Sequence, residues 1–264
     1  MRDKTKQSFE RFLSLPDYTA QPNRAHATQQ YPRFEIRTVR ATPLGDPDES
    51  DLAAIVYLSH DNPRIRRANP DLTPEKREGL YTLWFQSNAM SFALLERIPP
   101  DANGVSIIGN TAILPLLQKT MDRISQQELA VINLRPEDIC GAGETHEVLL
   151  LDTWVLHPDY QDSEWLGWLR KRHFGYGNAL VLKHISMFWN PGGRQALRLY
   201  AEPDAQSMLR LLPRLGFHQH STTQIGEPLL LLEYPPSGRP SPEDAVKRRY
   251  IREVVEKVRV CRSW

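Results

Sequence analysis

Cysteine is nearly absent: 264 residues contain only Cys140 and Cys261, with no Cys or His at metal-ligand spacing. A disulfide framework and a zinc site are therefore not expected, and no metal is assigned. Long hydrophobic runs are also missing. The longest, such as Val148 to Leu151 and Leu229 to Leu232, fall far short of the roughly 20 residues that span a bilayer, so no membrane partner is expected. The first residues, Met1 to Glu10, start basic but carry no apolar stretch behind them. No secretory signal is read there, and the expected compartment is the cytoplasm. Charge of one sign is lacking too, since 33 Lys+Arg against 32 Asp+Glu leave +1. That balance argues against nucleic acid as a partner. No repeat of fixed period is visible, which sets solenoid architectures aside. What is present is an ordinary globular mixture, 25% charged and 40% hydrophobic, long enough to bury a sizeable core.

Proline is the one excess, 21 residues, and it falls between segments with clear hydrophobic periodicity. Residues 1–33 read as an arm, with a short helix at Ser8 to Leu15. A strand is expected over Phe34 to Val39, followed by a helix through Leu52, Ile55, Val56 and Leu58, capped from the acidic run Asp46 to Asp51. Thr73 as N-cap, Pro74 at the first helical position and Glu75 and Glu78 behind it predict a second helix to about Ser87. Met90 to Glu96 and Val105 to Leu114 read as an antiparallel pair around a Pro- and Gly-containing loop. Residues 117–147 are polar, with a helix expected at Ser125 to Val131, and read as an insertion. Val148 to Leu156 is apolar on both faces and reads as a central strand. A helix from Asn178 to Phe188 follows, then a strand at Ala196 to Ala201, a helix at Ala205 to Leu215 and strands at Phe217 to Thr222 and Pro228 to Tyr234. The fold class is α/β with an antiparallel start. From Ser241 onward an amphipathic helix is expected, within a C-terminal segment of 237–264. Its apolar stripe of Val246, Tyr250, Ile251, Val254, Val255 and Val258 either docks on its own domain or forms a homodimer contact.

The chemistry concentrates in Arg172-His173-Phe174-Gly175-Tyr176-Gly177. Between a buried strand and a helix, glycines let the backbone turn tightly and point free N–H groups at an anion such as a phosphate. The string fits the pyrophosphate-loop pattern of the GCN5-related N-acetyltransferase (GNAT) superfamily, and the element order resembles that family. Trp154-Val155-Leu156-His157-Pro158-Asp159-Tyr160 looks like the end of its fourth strand, and Leu215-Gly216-Phe217 like its C-terminal Leu-Gly-Phe. The resemblance covers roughly Phe34 to Tyr234. It implies a GNAT-like central mixed β-sheet flanked by helices over 34–236, with insertions at about 117–147 and 161–171. The last of these places about eleven extra residues, Gln161 to Lys171, ahead of the Arg172 string.

The resemblance further implies that the co-substrate is acetyl-coenzyme A and that acyl transfer is direct. An amine of an unknown acceptor, protein or small molecule, attacks the thioester, while backbone N–H groups near Trp154, Val155 and Leu156 polarise the carbonyl. The cofactor-binding residues expected are those three with Arg172, His173, Phe174, Gly175, Tyr176 and Gly177. Asp152 is the expected base, because a carboxylate inside Leu-Leu-Leu-Asp-Thr-Trp requires a reason to be there. Its structural alternative is a hydrogen bond to a neighbouring loop. Glu147 is a second candidate, acting through water. The family's usual acid, a tyrosine five residues before the Phe of Leu-Gly-Phe, is replaced here by Leu212, and Ala205 stands where the family often has Asn. Tyr160 and Tyr200 are the candidate replacement acids, each alternatively a half-buried packing tyrosine. Those replacements also support a different reading: a catalytically degenerate GNAT-fold protein that works through protein contacts. The basic run Arg64, Arg66 and Arg67 reads either as part of the acceptor side or as a solvated face.

Overall fold

The hydroxyl of Thr73 accepts a hydrogen bond from the Lys76 N–H, and Pro74 opens the helix behind it, so Pro74–Ser87 begins where its capping residues dictate. The preceding helix, Glu49–His60, is capped in the same manner by Asp48, whose Oδ1 accepts from the N–H groups of Ser50 and Asp51 at 3.1 Å each. These details come from a computed structural model that describes residues 33–60, 71–160, 176–190, 195–202, 212, 217–223, 226 and 228–234. The expected N-terminal arm, the 161–171 insertion and the C-terminal helix lie outside those residues.

The strands are β1 (Arg33–Thr38), β2 (Phe92–Ile98), β3 (Ile107–Leu116), β4 (Val148–Leu156), β5 (Leu197–Ala201), β6 (His218–Thr222) and β7 (Pro228–Tyr234). The helices are α1 (Glu49–His60), α2 (Pro74–Ser87), α3 (Gln118–Ser125) and α4 (Tyr176–Phe188). All seven strands form one mixed sheet in the order β1-β2-β3-β4-β5-β7-β6, antiparallel throughout except for the β4–β5 join. This is the mixed sheet flanked by helices that the sequence implies. One face carries α1, α2 and α3, with Ile55, Tyr81, Trp84, Met121 and Leu150 in a common core. The other carries α4, through Leu180, Val181, Ile185 and Phe188 against Ile113, Leu149 and Leu199. β3 and the first half of β4 are buried on both sides, as the unbroken apolar run of Val148 to Leu151 requires of β4.

The edge of the sheet is tied to α1 by charge. Asp51, 1% exposed, accepts from Arg37 Nη1 and Nη2 at 2.6 and 2.8 Å, and from the Arg40 N–H at 3.0 Å and its Nη2 at 2.8 Å. These donors hold its carboxyl well below the usual range, against a burial effect that pushes it up.

The polar 117–147 segment departs from expectation. Its helix is Gln118–Ser125, a full turn or more ahead of the predicted Ser125 to Val131. The cause is a long-range cap: Glu147 Oε2 accepts from the Gln118 N–H at 2.7 Å, while Met121 and Ile124 bury the apolar face. Gln127, at φ 64°, turns the chain away, and Val131–Asn133 is only a short 3-10 turn.

Candidate active site

The β4–β5 ladder is short. Leu149, Leu150 and Leu151 pair with Leu199, Tyr200 and Ala201, and among the described residues the pairing stops there, while β4 runs on to Leu156. Its continuation stays paired to β3, where the His157 N–H donates to the Ile108 carbonyl at 2.8 Å. In an antiparallel ladder hydrogen-bonded and non-hydrogen-bonded pairs alternate. With His157 facing β3, so do Val155 and Thr153, and the N–H and C=O groups of Trp154 turn toward the side that β5 has left. The sheet is thus splayed beside β4, with backbone polar groups directed into the opening.

A bulge marks the start of the splay. Ala112 pairs with Thr153 and Ile113 with Leu151, so Asp152 is the extra residue on β4. Strict alternation would place Asp152 and Thr153 on opposite faces. Here Leu150 and Val155 both lie in the α1–α2 core and Leu151 in the α4 core, so the bulge shifts the phase between them. Asp152 is half-buried and accepts from Thr153 Oγ1 at 2.7 Å. Its charge reaches the Tyr81 hydroxyl on α2. Burial pushes the Tyr81 phenol up, the Arg77 cation opposes that, and the Asp152 carboxylate adds to it. Arg77 is itself only 2% exposed and donates from Nη1 to Tyr81 Oη at 3.1 Å.

On the opposite face, α4 begins beside Trp154 and Leu156. A Cβ on Gly177 would lie 2.8 Å from Trp154 Nε1 and 3.7 Å from Leu156 Cδ1, so only glycine allows this approach. Arg172, His173, Phe174 and Gly175 lie outside the described residues; Tyr176 is the first residue of α4. Of the expected cofactor-binding set, the structure therefore brings Trp154, Leu156 and Gly177 together, while Val155 is buried in the α1–α2 core.

The candidate acids and the second base are dispersed. Tyr160 ends the 3-10 turn Pro158–Tyr160 just past β4, is 8% exposed, and donates to Asp101 Oδ2 at 3.3 Å. Tyr200 is fully buried on β5, its ring edge-on to His220 at 5.2 Å, and its hydroxyl faces Gln118 and Arg198. Glu147 caps α3 at the opposite end of β4 from Leu156, roughly 30 Å of strand away. Leu212 is buried in the α4-side core. The 117–147 insertion shapes an open pocket of about 500 Å³ lined by Arg123, Leu129, Asn133, Arg135, Glu137 and Asp138.

No model of a known protein family matches the chain, and no curated protein does. Solved structures do resemble it. One is a protein of Pyrococcus horikoshii OT3, with TM-score 0.46 and 10% identity over 75% of this chain and 97% of that one. Another is the paia N-acetyltransferase of Thermoplasma acidophilum in complex with coenzyme A, with TM-score 0.39 and 12% identity over 76% and 99%. A third is an N-acetyltransferase of Staphylococcus aureus Mu50, with TM-score 0.41 and 10% identity over 75% and 100%.

Two further features belong to the site and were not singled out in the sequence. His184 on α4 is completely buried. Its Nε2 lies 2.7 Å from the Met90 carbonyl and its Nδ1 2.6 Å from Thr111 Oγ1. A carbonyl only accepts, so Nε2 carries the hydrogen and Nδ1 accepts from the threonine hydroxyl. Burial pulls this imidazole down to about 4, opposed by the bond to Met90. The pair fastens α4 to β3 beneath the open strand. The second feature is Arg77, on the same helical face as Tyr81 and Trp84; a charge on an apolar stripe is the signal that would have found it. Among the described residues no group of His, Cys, Asp and Glu is arranged to hold a metal, and no helix is long and apolar enough to cross a membrane.

Proposed function

We propose that this chain is an acetyl-coenzyme A-dependent N-acyltransferase, and that the site is the opening beside β4. The observation that carries the reading is the ladder that ends at Leu151 while the strand continues, turning the backbone groups of Trp154 into the gap. A pantetheine arm, with its two amides, suits such an edge because it can pair as a strand would. The close approach of Gly177 to Trp154 keeps the N-terminus of α4 near that edge, and a helix N-terminus favours an anion such as a pyrophosphate. Trp154, Val155, Leu156 and Gly177, with the Arg172 to Gly175 string, would hold the co-substrate, which supplies an activated acyl carbon.

The residues of this chain then account for the protons. The acceptor amine forms a C–N bond with the acyl carbon and the C–S bond breaks, giving an amide and a thiol. Asp152, placed at the mouth of the splay by its bulge, takes the proton that the attacking nitrogen loses. Backbone N–H groups on the open side of β4 meet the charge that builds on the carbonyl oxygen. Tyr160, four residues past the end of β4, would return a proton to the departing sulfur by turning its hydroxyl from Asp101.

One observation favours a second reading. Leu212 is a buried hydrocarbon at the position where the resemblance leads one to expect a catalytic hydroxyl, which suits a non-catalytic binding protein. Calorimetric titration with acetyl-coenzyme A and coenzyme A, followed by an amine panel, separates the two. Binding with turnover supports the transferase. Asp152→Asn should then keep the affinity and lower kcat about 100- to 10,000-fold. Binding without turnover of any amine favours the second reading, and no binding refutes both roles for the opening.

A further inference from the structure

The open pocket of the 117–147 insertion takes no part in the chemistry assigned to β4, yet its walls are held in place. α3 supplies Arg123 from its last turn, and the 3-10 turn Val131–Asn133 supplies Asn133. A second 3-10 turn, Pro136–Asp138, supplies Glu137 and Asp138, with Arg135 just ahead of it. The N–H groups of Glu128 and Leu129 donate to the Arg123 carbonyl at 2.8 and 3.2 Å, and the Cys140 N–H donates to the Pro115 carbonyl on β3 at 2.8 Å. Asp138 ties the walls together: its Oδ1 accepts from Arg123 Nη1 and its Oδ2 from the Arg135 N–H, both at 3.1 Å. The space they enclose, about 500 Å³, is in the range of small-molecule sites.

Two guanidiniums and two carboxylates line this space, so the lining carries no net charge. They are not used equally. Asp138 has both oxygens bonded and is only 11% exposed. Arg135 Nη1 and Glu137 Oε1 approach only to 3.9 Å, beyond hydrogen-bond distance, and their side chains are 76% and 69% exposed. An ion pair so loose and so well solvated contributes little, and separating its members costs correspondingly little. One guanidinium and one carboxylate thus stand side by side, in a pocket that also holds the apolar side chain of Leu129 and the amide of Asn133. A ligand with a single charge gains from one of the pair and is repelled by the other. A zwitterion gains from both.

We propose that this pocket binds a free α-amino acid, its carboxylate held by the fork of Arg135 and its ammonium by Glu137. Both side chains extend into solvent, so they part around the ligand without disturbing the bonds that fix the walls. The proposal is independent of the transferase reading, because none of the lining residues belongs to β4 or α4.

Calorimetric titration of the full chain with the common amino acids, without acyl donor or coenzyme A, tests it. At least one should bind, and its deaminated acid and decarboxylated amine should each bind on the order of 10- to 100-fold more weakly, the range for losing one charge-assisted contact. For leucine these analogues are 4-methylpentanoate and 3-methylbutylamine. Arg135→Gln should erase the preference over the amine, and Glu137→Gln the preference over the acid. Since both side chains are largely exposed, the Tm of each variant should stay within about 2 °C of the wild type, so that lost affinity reports the site and not the fold. Three outcomes overturn the proposal: no binding of any amino acid, an analogue with one charge that binds as well as the amino acid, or an affinity that survives either substitution.

Discussion

Lowering the pH should weaken this fold through one identifiable side chain. His184 is neutral and buried, and burial depresses its pKa in the folded chain from the ordinary 6.5 to about 4. Because the unfolded chain takes up the proton first, the contribution of His184 to stability is complete above pH 6.5 and is lost as pH falls toward 4. At about 1.4 kcal/mol per tenfold change in proton affinity, the drop from 6.5 to about 4 makes the full loss about 3 kcal/mol. At pH 4.5 most of it should already be gone. His184→Leu isolates this contribution. At pH 7.5 the variant should be less stable by about 2–4 kcal/mol, since Thr111 Oγ1 and the Met90 carbonyl lose their partner. Toward pH 4.5 that gap should close by the amount calculated for His184, while the carboxylates common to both proteins cancel. Urea unfolding followed by tryptophan fluorescence at four pH values measures the gap directly. A gap that stays constant from pH 7.5 to 4.5 would refute a neutral, buried His184.

Two other substitutions probe separate parts of the structure. Asp51→Asn keeps the shape but removes the charge that gathers Arg37 and Arg40, and should cost about 3 kcal/mol, lowering Tm by roughly 6–12 °C in a thermal melt; a change under one degree would show the cluster to be energetically idle. At Gly109, which pairs with Leu156, a Cβ would meet Leu156 Cδ2 at 2.6 Å and the Val155 carbonyl oxygen at 3.1 Å. Gly109→Ala should therefore destabilise by about 1–3 kcal/mol and, by displacing the open strand, weaken coenzyme A affinity as well; unchanged affinity in calorimetry would argue against β4 as the binding edge.

What could be read in advance follows the range of the forces involved. Thr73 and Pro74 announce α2 because capping acts within one turn, and the unbroken Val148 to Leu151 run announces a strand buried on both faces. The position of α3 was missed because its cap comes from Glu147, twenty-nine residues away along the chain. The Asp152 bulge is equally silent in the sequence, being a matter of register between β3 and β4. Asp152 itself was visible as a carboxylate among leucines, whereas its neighbours Tyr81 and Arg77 come from a different helix and meet it only through tertiary packing. His184 falls within the expected Asn178 to Phe188 helix, but nothing in the sequence pairs it with Met90 and Thr111.

The three-residue join between β4 and β5 also bears on how the chain acquires its fold. β1, β2, β3 and β4 each pair with their neighbour in sequence, so that half of the sheet assembles through contacts between successive strands. The parallel join instead awaits a crossover of roughly 40 residues, which includes α4, and it closes with only the pairs at Leu149, Leu150 and Leu151. Loop closure over that distance must precede any return from those pairs, so the seam is expected to form late in folding. The feature that opens the sheet to a ligand is thus also the kinetic boundary between its two halves.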